Sequence, residues 1–367
     1  MSRAAGNPVF DGVQSIAVLT ASGIGDFVMT VPALRALRAA YPHATISVLG
    51  AAWLPEFLHA RPGPWDVGVA VPREDGVCRL VDDPDAGIHA FVAEHRGRHD
   101  LVVQLHGGGG DSNAVVRALH PRFSVGASTP GAEPLDRVVP YLEGRPEVLR
   151  CLEVAELAGA AAPVGPRGLV PSLAVTESDV AAGRAVWDGA GPAVMLHAGA
   201  RDGRRRWSAE KFAEVARHLR DSLGATVLLV GSGHDVGTSG EVVARTGPGA
   251  VDLTGRVPLG ATLALASRCL LFVGNDSGPR HLAIAAGTPS VGIFWVGNAM
   301  TFGPLVGAAH RAVVSFTVSC PVCGEEQVAQ RCTHDPSFVD SVTTDDVVEQ
   351  CEQVLAASGA GRSRPRG

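Results

Sequence analysis

Aromatic residues are scarce in this sequence, 5% of 367 positions, and a single lysine, Lys211, stands among its 31 basic residues. The first shortage removes the stacking platforms that hold single-stranded nucleic acid. The basic residues are scattered rather than blocked, and the formal net charge is −6, so the electrostatic footprint of a nucleic-acid binder is missing as well. Seven cysteines are too few for a disulfide scaffold at this length, and their odd number fits reduced thiols in a cytosol. No secretory signal is apparent, because Asp11 precedes the first apolar stretch at Ile16. The run from Leu282 to Ala309 is uncharged and long enough to span a bilayer. Gly287, Pro289, Gly292, Gly297 and Pro304 nevertheless break it into a helix end, a buried strand and a loop. The expectation is a cytoplasmic protein with no nucleic-acid partner and at most peripheral membrane contact.

What the chain does have is apolar material in alternation. Hydrophobic residues make up 46% and charged residues 19%, which excludes a disordered chain. At roughly 100–200 residues per domain, the length predicts two domains. Strand-like runs alternate with helix-length segments, as in α/β proteins with parallel sheets. Strands are expected at 15–20, 45–49, 100–105 and 123–125. A helix is expected from Asp26 to about Ala40, with Val28, Val31, Leu34 and Leu37 at helical spacing and Pro32 within its first two turns. The stretch 160–172, rich in Pro, Gly and Ala, is the linker candidate. The alternation then restarts, with strands at 193–197, 226–230, 270–273 and 290–294 and helices at 208–223, 259–268, 279–286 and 345–356. The expected organisation is one doubly wound parallel-sheet domain over 1–170, a second over 171–344, and a C-terminal helix with a disordered tail over 345–367. The two domains are expected to face a cleft, with ligands at the carboxyl ends of strands.

Three loops that follow strands concentrate chemistry. Ala21-Ser22-Gly23-Ile24-Gly25-Asp26 joins the first strand to its helix. Gly23 and Gly25 allow a close backbone approach, and a helix N-terminus favours an anion. The spacing is Gly-x-Gly-Asp rather than Gly-x-Gly-x-x-Gly, and no acidic residue ends the second strand to hold a ribose, which disfavours a dehydrogenase. Asp26 reads either as the helix N-cap or as a group set against a substrate. The second loop, Gly274-Asn275-Asp276-Ser277-Gly278-Pro279-Arg280-His281, offers free helix N–H groups to a diphosphate, with Pro279 at a first helical position and Asp276, Ser277 or Gly278 as cap. The third, His197-Ala198-Gly199-Ala200, runs into Arg201 and the arginines 204–206 ahead of Trp207, a set suited to forked binding of phosphate. No Asp-x-Asp pair in these loops argues for a metal. Gln104-Leu105-His106 followed by four glycines forms a further loop, in which His106 is either structural or a contact to an acceptor hydroxyl or carboxylate. Cys320-Pro-Val-Cys323 with Cys332-Thr-His334 can supply a Cys₃His metal set, ordinary thiols, or a redox pair.

The stretches GIGDFVMTVPALRALRAAYP, LHAGA with RRRW, LVGSG, VDLTGRVPL and FVGNDSGPRHLAIAAGTPSVGIF, in this order, resemble glycosyltransferase family 9, the ADP-heptose heptosyltransferases. The resemblance implies a GT-B fold of two Rossmann-like domains and inverting sugar transfer that requires no metal or other cofactor, from a nucleotide-sugar donor, ADP-heptose first among them. It implies Asp26 as general base, with a pKa lowered by the helix N-terminus. It implies Ala200, Arg201, Arg205, Asp276, Ser277, Gly278 and His281 around the donor, with Val257 beside the adenine. Acceptor contacts fall to Gly23, Gly25 and His106, and the chain is expected to act as a monomer. Two departures stand out. Arg205 replaces a common lysine, so Arg204 or Arg206 can take its role, and Gly233 stands where some relatives carry a glutamate near the ribose. Asp82, Asp83 and Asp85 lie in the acceptor-side segment with no lysine cluster to offset them. That pattern, with an alanine- and glycine-rich composition, keeps open a secondary-metabolite acceptor instead of a glycan or lipid-linked one, another nucleotide sugar, and a non-catalytic nucleotide-sugar-binding protein.

Overall fold

The computed structural model of the chain describes residues 7–21, 23–73, 78–80, 83, 87–328 and 331–358. Ser22, Asp82, Asp85 and the expected tail beyond residue 358 lie outside them. Two compact units divide the chain, Met1–Ala174 and Val175–Gly367.

The first unit is built on six parallel strands: β1 (Ser15–Thr20), β2 (Thr45–Gly50), β3 (Val67–Ala70), β4 (Leu101–Leu105), β5 (Phe123–Ser128) and β6 (Arg137–Pro140). They lie in the order β3-β2-β1-β4-β5-β6. Helices cover a sheet of this kind on both faces, which is why β1, β2 and β4 are almost continuously apolar and buried rather than alternating. The central pairing sets Ile16 against Leu101 and Thr20 against Leu105, so β1 and β4 end side by side. The helix Ile24–Ala40 buries Phe27, Val28, Val31, Leu34 and Leu37 and packs on the helix Glu147–Leu157. It starts two residues earlier than the sequence suggests, so Pro32 lies in its interior rather than in its first two turns. There the proline removes a hydrogen bond of the helix ladder.

The second unit repeats the plan with β7 (Ala193–His197), β8 (Thr226–Leu229), β9 (Ala250–Asp252), β10 (Leu271–Asn275), β11 (Ser290–Trp295) and β12 (His310–Ser315), ordered β12-β11-β10-β7-β8-β9. Register pairs Gly274 with His197, again bringing the first and fourth strands of the unit to a common end. In both sheets the strand order reverses direction at that pair, and a crevice opens outside the strand ends. Trp207, 1% exposed, anchors the loop after β7. Its indole N–H donates to the Val342 carbonyl at 2.9 Å, and its ring stands edge-on to Phe212. The C-terminal helix Thr344–Ser358 packs on β11, β12 and the helix Ala209–Leu223, inside the second unit.

The uncharged run 282–309 is the end of the helix Gly278–Ala285, then β11, then the short helix Val296–Phe302. Among the described residues no helix is long and apolar enough to cross a membrane. Four strands went unpredicted: β3, β6, β9 and β12. Each lies at a sheet edge and is only partly buried, so no continuous apolar run marks it.

His310, on edge strand β12, shares a hydrogen bond with Ser290 at 3.1 Å through Nδ1. Burial, and then the charge of Arg280, push its imidazolium down to about 4. A folded value below the unfolded value near 6.5 contributes stability that is complete above 6.5 and lost as pH falls through about 4. Urea midpoints should therefore drop between about pH 7 and pH 5, and His310→Asn should flatten that drop. An unchanged pH dependence in the variant would refute this account.

Candidate active site

In the first unit, the loop after β1 turns into its helix at Gly23, the N-cap, whose carbonyl accepts from the Phe27 amide at 3.1 Å. Gly25 is buried. Asp26 is therefore the third helical residue and not the cap, half-buried in the first turn, where free amides favour a carboxylate. A second carboxylate, Glu147, lies within electrostatic reach. Burial and the charge of Asp26 push Glu147 up, while its ion pair with the buried Arg150 opposes them. Neither Glu147 nor Arg150 is legible as a site residue in the sequence, because a distant helix brings them in.

The loop after β4 is folded by Gln104, 0% exposed, whose amide donates to the His106 carbonyl and to Ser112 Oγ, both at 2.6 Å. Gly107 and Gly109 adopt φ of +60° and +82°, and a Cβ at Gly109 would also collide with the Asn113 side chain. The four glycines are thus a shaped turn. His106 is pushed down to about 4 by burial and then by the charge of Arg73, so its ring is neutral at neutral pH. Arg73 donates to the Thr20 carbonyl at the end of β1 at 2.8 Å, and its buried Nε and Nη1 have no hydrogen-bond partner among the described residues. This cation was missed: it is isolated in sequence, and only the fold sets it beside the ends of β1 and β4.

In the second unit, the ends of β7 and β10 gather most of the expected donor residues. Asn275 joins the two loops, donating to the Ala198 carbonyl at 2.8 Å and accepting from the Trp207 amide at 3.2 Å. Asp276 follows, 2% exposed, and is a hub rather than an open ligand. One carboxylate oxygen faces Arg205 Nη1 at 3.3 Å and accepts from Asn298, and the other faces His281 Nε2 at 3.5 Å. Burial alone would raise this carboxyl. The neighbouring His281, with the charges of Arg280 and Arg205, outweighs it and holds the group below the ordinary carboxylate range. Ser277 is the N-cap of the helix Gly278–Ala285, so Gly278 is the first helical residue and Pro279 the second. Ser277 Oγ donates to the Asn275 carbonyl instead of capping, and meets His197 Nδ1 at 2.9 Å. The first amides of the helix therefore receive no side-chain cap from it.

The three arginines separate by partner. Arg204 forks onto Asp202, donates to the Gln327 carbonyl and stacks over Trp295. Arg206 donates to the carbonyls of Ala200 and Arg201 and faces Asp335. Arg205 alone turns toward Asp276, and its buried Nε has no hydrogen-bond partner among the described residues. Ala200 is buried and Arg201 is exposed. Val257 packs against the apolar cluster of Leu228 and Leu253, on a loop tied to the β8 loop by Gly255 N–H donating to Gly231 O at 2.9 Å.

Two further residues, present in the loops read from the sequence, were given no role there. Asp235, after β8, faces His197 Nε2 at 3.5 Å and accepts from Ser232. Burial raises its carboxyl, but His197 and Ser232 more than reverse this and hold it well below the usual range. A Cβ at Gly199 would fall on this carboxylate, which explains that glycine. Arg280, 0% exposed, stacks on Phe294 with its guanidinium carbon 4.8 Å from the ring centre. Burial lowers it to about 10 against the opposing charge of Asp276. Arg205, Arg280 and a helix N-terminus thus surround one carboxylate, leaving a positive surplus suited to a diphosphate. The donor atoms of Cys320, Cys323, Cys332 and His334 also come together, within 4.8 Å of one another.

Two doubly wound units of this topology, with a cationic strand-end site in the second, have the architecture of the GT-B fold. Residues 97–334 match the model of glycosyltransferase family 9 (heptosyltransferase), and the chain belongs to that family. It is 26% identical to lipopolysaccharide heptosyltransferase 2 of Salmonella typhimurium, over 94% of this chain and all of that one. It is 27% identical to the enzyme of the same name from Escherichia coli K12, over 82% and 87% of the two chains. Among solved structures, the family 9 glycosyl transferase of Veillonella parvula superposes with a TM-score of 0.77 at 19% identity, covering 96% of this chain and 99% of the other. The E. coli ADP-heptose lps heptosyltransferase II superposes at 0.70 with 22% identity, covering 94% and 99%.

Proposed function

We propose that this heptosyltransferase-like enzyme moves a heptose, or a closely related sugar, from an ADP-sugar to a hydroxyl of a glycan or glycoconjugate, with inversion and without a metal at the reacting centre. The observation that carries this reading is the Arg205–Asp276–His281 cluster at the N-terminus of the helix Gly278–Ala285. The names of the curated relatives support the sugar and the acceptor class.

In the proposed reaction the acceptor oxygen forms its bond to the anomeric carbon as the bond from that carbon to the diphosphate breaks. Asp26 takes the acceptor proton. The electron pair leaves with the nucleoside diphosphate, whose growing charge is met by Arg205 and by the amides from Gly278 onward. Asp276 holds Arg205 and His281 in place, and Ser277 Oγ is fixed by His197. Ala200, Arg201 and Val257 line the nucleotide side. On the acceptor side, Gly23 and Gly25 admit the substrate, neutral His106 offers a hydrogen bond, and Arg73 offers a cation to an anionic group.

A second reading, another nucleotide sugar on a secondary-metabolite acceptor, is favoured by the β8 loop. Its carboxylate, Asp235, is held by His197 and Ser232. Binding and slow hydrolysis should be screened with ADP-heptose, ADP-glucose, and UDP-, GDP- and dTDP-sugars, with ADP as control. ADP-heptose is expected to bind best; preference for another base or sugar would transfer the assignment to the second reading.

A further inference from the structure

Four sulfur and nitrogen ligand atoms meet outside the reacting centre. Cys320, Cys323, Cys332 and His334 place one donor atom each within 4.8 Å of all the others, and none of these cysteines forms a disulfide. A tight turn carries the first pair. Gly324 closes the turn at φ +77°, its amide donating to the Cys320 carbonyl at 2.8 Å, while the Cys320 amide donates to Glu325 O at 2.8 Å.

The second pair is delivered separately. Gln327, 1% exposed, holds both carbonyls of the turn through Nε2 (Glu325 at 3.2 Å, Glu326 at 3.3 Å), and its Oε1 accepts from the Cys332 amide at 3.0 Å. A buried glutamine thus clamps the Cys332-Thr-His334 stretch onto the cysteine turn. The nearby carboxylates are occupied elsewhere: Glu326 accepts from the Val328 amide, and Asp335 pairs with Arg331 and Arg206. Among the described residues the converging donor set is three sulfurs and one imidazole.

We propose that these four residues bind one zinc ion in a closed tetrahedral site. Three thiols and an imidazole satisfy a tetrahedral d¹⁰ cation and leave no open position, which marks a structural rather than a catalytic metal. Binding releases the three thiol protons to solvent, and the imidazole binds neutral.

The site also has a mechanical consequence. The segment carrying the ligands lies against the arginine loop: Gln327 O accepts from Arg204 Nη1 at 3.0 Å, and Arg331 reaches Asp202 at 3.8 Å. The Phe338 amide donates to Arg204 O at 2.9 Å, and a Cβ at Gly203 would strike the Asp335 carboxylate. The metal braces the loop that presents Arg205, a statement that rests on the donor-binding reading above.

The full-length chain, expressed without a histidine tag, should carry one zinc per chain by elemental analysis. Cys323→Ser and His334→Ala alter exposed ligands, so both variants should keep native circular dichroism. Each should lose zinc affinity by more than the roughly 10–100-fold typical of an outer-shell change. Co(II) uptake by the metal-depleted chain should give the visible bands of a tetrahedral thiolate complex, absent in both variants. A chain that neither contains nor takes up metal, or that holds a Cys320–Cys323 disulfide by mass, overturns the site; stoichiometric iron overturns zinc. The brace predicts a several-fold rise in donor dissociation constant on metal loss, and unchanged affinity overturns the brace alone. A native chain that binds zinc but no nucleotide sugar would refute the donor reading and leave the metal site standing.

Discussion

Asp26→Asn is expected to lower kcat by about 10²–10⁴-fold, the usual contribution of a positioned general base, while leaving the donor dissociation constant unchanged. The asparagine preserves size and helical position but cannot accept the acceptor proton. Asp26 does not cap its helix through its side chain, since Gly23 holds the cap position and no side-chain capping bond forms there. The substitution therefore removes no helix cap, and a large loss of fold is not expected. In the proposed reaction Asp26 would take the acceptor proton as the oxygen–carbon bond forms, from a first-turn position whose free amides favour a carboxylate. The alternative candidate, Glu147, is committed to Arg150 and pushed up by its burial. Single-turnover transfer with bound donor is the decisive measurement. Transfer at the native rate by Asp26→Asn would remove Asp26 from the chemistry; a native chain that binds donor and transfers nothing would identify a binding protein.

The second large effect belongs to Arg205. Arg205→Ala should reduce kcat/KM by about 10²–10³-fold, the scale seen when one donor to a developing charge is removed. The loss should divide between donor KM and kcat, because in the proposed reaction the guanidinium would meet the diphosphate before and during departure. Arg205→Lys should recover part of kcat, since a lysine restores the charge without the fork. Asp276 keeps His281 and Asn298 as partners in both variants, so its carboxylate is not stranded. Arg204→Ala provides the contrast. Its guanidinium is consumed by Asp202, Gln327 and Trp295, so its removal should lower the urea midpoint more than it alters donor affinity. Equal kinetic losses for Arg204→Ala and Arg205→Ala would refute this division of labour.

The sequence by itself determined the two restarts of strand and helix, the buried central strands and the loops that carry chemistry. Central strands of a parallel sheet are apolar along their whole length, and glycine, serine and aspartate collect where a strand end must turn into a helix. Both signals are local. The edge strands β3, β6, β9 and β12 were not legible, because pairing on one side holds a strand whose own residues are only half-buried. Three adjacent arginines are equivalent in sequence, and Gln327, Asp276 and Asp335 from separate segments, with Asp202 of the same loop, assign Arg204 and Arg206 to the scaffold and leave Arg205 with Asp276. Asp26 was readable as a carboxylate at a helix start, but its place as third helical residue depends on where the backbone begins to coil. Arg73 and Glu147 entered the first site through tertiary packing alone, and packing gave Asp235 and Arg280 the partners that their own loops do not reveal. The Cys₃His spacing was visible, yet its convergence was decided by Gln327 and a glycine turn. In each case the physical reason is the same: residue type and local periodicity dictate which elements form, whereas a charge acquires its neighbours only when strand order and burial bring distant segments to one edge of a sheet.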